Sequence, residues 1–177
     1  GLIEATCKAA ELRVVPPGEL PVRHQVTAVQ AFPLTSSERS REVAKETLDA
    51  LTPSAVACME RAGRNSKGVY HTGFGLDMSG STAKADYVMT EAKERGILTR
   101  GIGDLGNEAG MGTIVDEIRR VIPLAQKCRC PCGEGIATVV DSEVTVAAVC
   151  SNWPAYGITA CISAMLGEPD LLQDAEL

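Results

Sequence analysis

Aromatic side chains are scarce in this chain of 177 residues, at 3%, with one tryptophan, three tyrosines and two phenylalanines. Stacking platforms for single-stranded nucleic acid are built from such rings, so this composition argues against them. Positive charge is also in deficit, because 17 Lys and Arg face 23 Asp and Glu, for a formal net charge of −6. We therefore expect neither nucleic acid nor an anionic membrane to be a main partner.

Long apolar runs are missing as well. No stretch of the sequence approaches the ~20 apolar residues of a membrane span, and no signal-peptide pattern opens it. The seven cysteines are odd in number and sit mostly in apolar stretches, which predicts free thiols in a reducing compartment. That compartment is expected to be the cytoplasm, or the mitochondrial matrix if the source is eukaryotic. The length and the 45% hydrophobic content fit one globular domain over residues 1–177.

Three cysteines alternate at Cys128, Cys130 and Cys132, a spacing that could bind zinc or copper. Structural zinc sites usually combine a CxxC pair with a second pair of ligands. The sequence has no second pair, and its only histidines are His24 and His71. The spacing therefore favours a cysteine-rich loop over a metal centre.

Apolar periodicity predicts alternating helices and strands. Helices are expected over 2–12, 35–51, 82–95, 113–126 and 155–166, the last capped by Ser151. Strands are expected over 22–32, 54–59, 97–102, 135–140 and 144–150, with 54–59 buried on both faces. This alternation predicts an α/β fold with a mainly parallel sheet flanked by helices, a Rossmann-like three-layer arrangement. The glycine-rich loop 65–81 is long enough to be either functional or disordered.

The most informative stretch is Gly101–Gly112, which follows a predicted strand and precedes a predicted helix. Five glycines and three ligand-type side chains, Asp104, Asn107 and Glu108, lie within it. An ordinary strand-to-helix turn needs one or two glycines and no such polar cluster, whereas glycine lets a ligand approach the backbone closely. The stretch therefore predicts a ligand site.

Two other predicted strands end in polar residues. Glu60 to Arg64 follow the strand 54–59, and Ser151 and Asn152 follow the strand 144–150. Because the carboxyl ends of parallel strands share one edge of a sheet, where α/β proteins bind their ligands, we expect these residues and Asp104 to line one pocket.

Three blocks carry a resemblance to a known family: residues 60–64 (ERAGR), 103–112 (GDLGNEAGMG) and 151–157 (SNWPAYG). Together they resemble the signature blocks of the D-glutamate cyclase family, in the same order and at similar spacing. Leu105 stands where that family usually has glycine, and Pro154 and Ala155 replace a glycine pair. The resemblance implies a carbon–oxygen lyase (a hydro-lyase) that converts D-glutamate to 5-oxo-D-proline and water. It also implies that the family's N-terminal acidic block and C-terminal extension lie outside these 177 residues.

The residue types suit that chemistry. Glu60, Asp104 or Glu108 could act as the general base that takes a proton from the α-amine. Arg61 or Arg64 could clamp a carboxylate bidentately. Asp104, Asn107 and Glu108 could hold a divalent cation, and their oxygen ligands favour Mg²⁺ or Mn²⁺. Further expected substrate contacts are Gly63, Gly103, Gly106, Asn107, Gly110, Ser151 and Asn152.

Two other functions stay open from the sequence. Glycine-rich turns before helices also cradle phosphates, which allows a nucleotide- or phosphate-binding α/β enzyme. A non-catalytic amino-acid-binding subunit would keep the same pocket without turnover. The small-molecule partner is expected to be an acidic amino acid, and a homo-oligomer is left open.

Overall fold

Three short parallel strands form the centre of the fold in a computed structural model, which describes residues 1–22, 26–169 and 172. The strands are β1 (Ala55–Met59), β2 (Leu98–Gly103) and β3 (Val144–Ala147). Five α-helices flank them: α1 (Leu2–Ala9), α2 (Ser37–Leu51), α3 (Asp86–Glu94), α4 (Val115–Val121) and α5 (Asn152–Leu166). Short 3₁₀ helices span Pro17–Val22 and Gly112–Ile114. The predicted α/β class, with a parallel sheet flanked by helices, is confirmed.

The sheet order is β1-β2-β3, and both pairings are parallel. Val56 pairs with Thr99 and Gly101 pairs with Thr145, so these residues share one face of the sheet. Val56 and Cys58 on that face pack against a buried cluster of Met89, Ala109 and Val140. One part of the core therefore lies between this face, helix α3 and the glycine-rich turn, and a second part comprises Met111, Ile118, Ala125 and Ala137.

The prediction that β1 is buried on both faces is wrong, because Ala55, Ala57 and Met59 on its other face are exposed. An edge strand with one covered face and one open face alternates between buried and exposed residues along its length.

Among the described residues, no helix is long and apolar enough to cross a membrane.

Helix α2 begins as its sequence predicts. The Ser36 hydroxyl accepts a hydrogen bond from the Arg39 N–H at 3.3 Å, which is the N-cap interaction. Its apolar stripe, Val43, Ala44 and Leu48, is buried, and the helix packs against α3.

Helix α4 ends before its predicted limit of residue 126. The cause is Pro123, which drives Ile122 into an extended conformation with ψ of 124°.

Three smaller predictions are wrong. The expected strand 22–32 is not formed in its described part, where Thr27 makes only an isolated bridge to Val14; His24 lies outside the described residues. The expected strand 135–140 pairs with no strand of the described structure, and its N–H groups bond instead to loop carbonyls such as those of Gly106 and Arg64. Ser151 has helical backbone angles, and its side chain caps nothing in α5.

One stability prediction concerns Gly106. Its φ of +82° is a left-handed conformation, and a Cβ there would lie 2.3 Å from the Ile118 Cγ2. Gly106→Ala should therefore lower the free energy of unfolding by ~1–2 kcal/mol for the backbone and by a further ~1–3 kcal/mol for overpacking. Gly68 is the matched control, since it has φ of +74° and open space around it. Equal losses for the two alanine variants in urea unfolding would contradict the packing role.

Candidate active site at the carboxyl edge of the sheet

The ends of β1 and β2 bring three carboxylates together. Glu60 directly follows β1 and Asp104 directly follows β2. The two connecting segments pair with each other, since the Gly63 N–H donates to the Asn107 carbonyl at 2.8 Å and the Ala109 N–H to the Arg61 carbonyl at 2.7 Å. As a result, carboxylate oxygens of Glu60, Asp104 and Glu108 lie within 4.8 Å of one another. We call these three residues the acidic triad.

Glu108 holds the glycine-rich turn in shape. Its carboxylate accepts hydrogen bonds from the backbone N–H groups of Asp104 at 3.2 Å, Leu105 at 3.1 Å and Gly106 at 2.7 Å. Gly103 permits this close approach, because a Cβ there would lie 2.7 Å from Glu108 Oε2. Glu108 is buried, so satisfying those three donors is its first role.

The buried position of Glu108 disfavours its negative charge. Burial raises the pKa of Glu108, the N–H groups of Leu105 and Asp104 oppose that rise, and the neighbouring Asp104 carboxyl group adds to it. A cation beside Glu108 would offset the cost of burying its charge, because an opposite charge nearby favours the ionised form. The buried Asn107 Oδ1 has no hydrogen-bond partner among the described residues. The carboxylate oxygens of the triad are hard donors of the kind that Mg²⁺ or Mn²⁺ prefers.

A cleft of about 310 Å³ opens beside the triad, lined by Glu60, Arg61 and Ala62 on one side and by Met78, Ser81, Thr82 and Ala83 on the other. Arg61 Nη2 donates to the Ala83 carbonyl at 2.5 Å. Arg61 Nε and Thr82 Oγ1 are both buried without a hydrogen-bond partner in the described part of the chain. Unpaired buried donors are rare, so these two atoms favour a polar ligand in the cleft.

Glu60 adds backbone strain to this cleft. Its φ is +54°, which is uncommon for a residue other than glycine. Such strain costs ~1–3 kcal/mol and clusters at functional sites.

Arg64 is placed differently from Arg61. Its guanidinium donates to the fully buried Asp86 at 2.6 Å and to Thr90 at 3.1 Å, and it lies 4.3 Å from the centre of the Tyr87 ring. These contacts fix Arg64 against helix α3. Of the two arginines expected to clamp a carboxylate, Arg61 is the one that lines the cleft.

The remaining predicted contacts divide into two groups. Gly63 and Gly110 are required by packing, because a Cβ would lie 2.3 Å from Thr138 Oγ1 or 2.4 Å from the Gly101 Cα. Ser151 and Asn152 follow β3 at the same sheet edge, where Ser151 has a buried hydroxyl without a partner among the described residues and Asn152 is exposed. No hydrogen bond joins Asn152 to the triad in the described structure, so a shared cleft stays a prediction.

A second group of ligand-type side chains lies behind the turn, and we call it the His–Cys cluster: His71, Cys128, Cys130 and Cys132. It connects to the turn because Asn107 Nδ2 donates to the His71 carbonyl at 2.9 Å. The sequence shows the three alternating cysteines, but no local pattern in it predicts their association with His71. The one available indication is that the chain has only two histidines that could complete such a cluster.

Comparison with known proteins gives two findings. A family model described as "D-glutamate cyclase-like, C-terminal" matches residues 2–177. Human "D-glutamate cyclase, mitochondrial" is 32% identical to this chain over 108 residues, which cover 60% of this chain and 16% of that protein. The chain therefore spans less than a fifth of the length of this curated relative.

Proposed function

Since this chain belongs to the D-glutamate cyclase-like family, we propose that its cleft binds D-glutamate and closes it to 5-oxo-D-proline with release of water. The proposal is supported above all by the acidic triad, whose carboxylate oxygens lie within 4.8 Å of one another beside the cleft lined by Glu60 and Arg61. The name of the human relative supports the substrate.

The reaction needs a base and a group that activates a carboxylate. The substrate ammonium first loses a proton to a carboxylate. Glu60, which lines the cleft, or Asp104, whose carboxylate lies within 4.8 Å of that of Glu60, would take this role. The amine nitrogen then attacks the γ-carboxyl carbon. A C–N bond forms, a C–O bond breaks, and the oxygen leaves as water carrying two protons.

Arg61 and the glycine-rich turn would orient the substrate. Arg61 would bind the α-carboxylate, since a guanidinium matches a carboxylate bidentately. A Mg²⁺ or Mn²⁺ ion held by Asp104, Asn107 and Glu108 would neutralise the γ-carboxylate and polarise its carbon. Fixing both carboxylates leaves one enantiomer with its amine facing the base. Folding the substrate in this way also supplies the proximity that ring closure requires.

The arginine assignment makes a prediction. Arg61→Ala should weaken binding of D-glutamate and of 5-oxo-D-proline by about 10- to 100-fold, since a hydrogen bond to a charged group contributes ~1.5–3 kcal/mol. Arg61→Lys should restore only part of the affinity, because lysine lacks the bidentate fork. Isothermal titration measures both, with the exposed Arg120 changed to alanine as the control. Unchanged affinity in Arg61→Ala would remove this residue from the substrate site.

The cation assignment is tested with Mn²⁺ alone, by loss of the free-ion electron paramagnetic resonance signal on binding. Asp104→Ala should weaken Mn²⁺ binding by more than ~10-fold, because even second-shell changes cost 10- to 100-fold. Asp116→Ala, an exposed acid at the start of α4, is the matched control and should bind as the unchanged protein does. Equal Mn²⁺ affinity in both variants would place the ion elsewhere.

One experiment separates the proposed reaction from the two alternatives. D-glutamate, L-glutamate and ATP are titrated with and without Mn²⁺, and 5-oxoproline formation is followed in parallel. Turnover of D-glutamate supports the proposal, binding of ATP supports a nucleotide enzyme, and D-glutamate binding without turnover supports an amino-acid sensor.

We also propose that the protein resides in a reducing compartment, either the cytoplasm or the mitochondrial matrix, since all seven cysteines are free.

A further inference from the structure

The His–Cys cluster brings together four ligand atoms from two distant loops. His71 lies in the loop between β1 and α3, and the three cysteines lie in the loop between α4 and β3. Cys128 Sγ is 3.3 Å from Cys130 Sγ and 3.4 Å from Cys132 Sγ. His71 Nε2 is 3.2 Å from Cys130 Sγ and 3.5 Å from Cys132 Sγ. All four atoms lie within 4.8 Å of one another.

We propose that these four residues bind a structural Zn²⁺ ion. In a tetrahedral site with Zn–S bonds of about 2.3 Å, neighbouring sulfurs are ~3.8 Å apart. The observed separations therefore need to open by only a few tenths of an ångström. Three thiolates and one imidazole select zinc over the Mg²⁺ or Mn²⁺ expected at the acidic triad. Four protein ligands also close the coordination sphere, as in structural rather than catalytic zinc sites.

Burial of the histidine argues against a cluster held together by thiol contacts alone. The His71 side chain is 1% exposed. Its Nδ1 has no hydrogen-bond partner among the described residues, and its Nε2 contacts the sulfur atoms of Cys130 and Cys132. Sulfur is a weak hydrogen-bonding partner, so without an ion the ring would lose its hydration for little return. A zinc ion gives Nε2 a strong bond and fixes the proton on Nδ1.

Pairing the cysteines as disulfides does not account for the cluster either. Three thiols can form one disulfide at most, which leaves the third sulfur and the imidazole unexplained. A neighbouring side chain also contacts the cluster, since Asn65 Nδ2 donates to Cys132 Sγ at 3.5 Å and to the Gly135 carbonyl at 2.9 Å. Asn65 is itself buried, so the site has an ordered outer shell of the kind that metal ligands have.

The zinc ion would stabilise the loop that forms one side of the cleft. The Arg129 N–H donates to the Gly75 carbonyl at 3.0 Å, which joins the cysteine loop to the loop that carries His71. That second loop continues into Met78, Ser81 and Thr82 at the cleft. Zinc therefore fixes the position of residues that face the substrate without touching the substrate itself. This inference does not depend on the proposed reaction.

Metal content is the first measurement. The protein, purified without chelators, should contain about one zinc ion per chain by elemental analysis, as a closed four-ligand site requires. Cys130→Ser and His71→Ala should lose most of that zinc. Cys161→Ser is the matched control, because Cys161 is a free, exposed cysteine on α5, and it should keep the full content. Zinc retained in both cluster variants, or absent from the unchanged protein even after Zn²⁺ is added, would overturn the proposal.

Cobalt exchange keeps the proposal testable if those variants do not fold. Co²⁺ added to the metal-free protein should give the visible bands of a tetrahedral site and a sulfur-to-cobalt charge-transfer band. Cys132→His retains four ligands, so it should still bind Co²⁺ but with a weaker charge-transfer band, because two thiolates remain instead of three. An octahedral spectrum, or an unchanged band in Cys132→His, would contradict this ligand set.

The zinc site and the proposed reaction can be disproved independently of each other. Asp104→Asn should keep its full zinc content whatever happens to turnover, because Asp104 is not a ligand of this site. A protein that contains zinc but does not act on D-glutamate would disprove the proposed reaction and leave the zinc site intact. A protein that cyclises D-glutamate without zinc would do the opposite.

Discussion

Asp104→Asn is expected to lower the turnover of D-glutamate by ~10²–10⁴-fold, the usual cost of losing a positioned acid or base. The substitution removes a negative charge and keeps the shape of the side chain. Asp104 follows β2 directly and its carboxyl group adjoins Glu108, so the glycine-rich turn should keep its structure. Substrate affinity should change far less than turnover, because the α-carboxylate contact at Arg61 is untouched.

The measurement compares kcat and KM for 5-oxoproline formation, with Asp116→Asn as the matched control on exposed surface. The chain should be assayed alone and with the remaining segments of its human relative supplied, because the match covers only 16% of that relative. If the shorter chain is active only when the rest is supplied, the turn is necessary but not sufficient. Unchanged turnover in Asp104→Asn within an active protein would disprove the catalytic role assigned to this residue.

Asp86→Ala is expected to lower the free energy of unfolding by ~3–5 kcal/mol, because removing one member of a buried ion pair strands the other. Asp86 is fully buried and accepts hydrogen bonds from Arg64 Nη1 at 2.6 Å and from the Tyr70 hydroxyl at 2.6 Å. Burial raises the pKa of the Tyr70 hydroxyl and the charge of Asp86 raises it further, so tyrosine remains a donor. The substitution therefore leaves the buried Tyr70 hydroxyl and the half-buried Arg64 guanidinium without their acceptor.

Urea unfolding of Asp86→Ala beside Asp49→Ala measures the difference. Asp49 also pairs with an arginine, Arg95, but its side chain is 69% exposed, and such surface pairs contribute ~0–1 kcal/mol. Asp86→Ala combined with Arg64→Met should cost less than the sum of the two single changes, since neither charge is then left alone. Simple additivity would contradict the paired arrangement. A loss as small as that of Asp49→Ala would do the same.

The sequence predicted the glycine-rich turn well because its signals are local. The apolar approach to Gly103 and the run of glycines predict a strand that enters a turn, and β2 ends there. The meeting of Glu60 with Asp104 and Glu108 also followed from sequence, because parallel strands share their carboxyl edge. Local pattern and one general rule of sheet topology were sufficient for these residues.

Other parts of the site depended on contacts that no local pattern encodes. Asp86 is the first residue of α3, and an acid there is ordinarily explained by the helix dipole. Its pairing with Arg64 and Tyr70 joins segments far apart in the chain. His71 lies in a loop without periodicity, so its approach to the cysteines could not be predicted from spacing. Tertiary packing decided these contacts.

The two expected strands that did not form show a related limit. Residues 22–32 and 135–140 are rich in β-branched residues, which favour extended backbone. A strand also needs a partner, however, and Val139 and Thr138 bond instead to the carbonyls of Arg64 and Gly106. These hydrogen bonds connect the segment to the loops of the site instead of adding a strand to the sheet. Residue preference alone could not distinguish these outcomes.

The order of the sheet has a consequence for how the protein folds. Each pairing joins residues about forty positions apart, as Val56 with Thr99 and Arg100 with Val144 show. Loop closure of this length must precede any strand contact, so folding is expected to be slow and to lack hairpin-like early stages. Because β2 is the centre of both pairings, its amide protons should exchange with solvent only through global unfolding, whereas β1 and β3 can open separately.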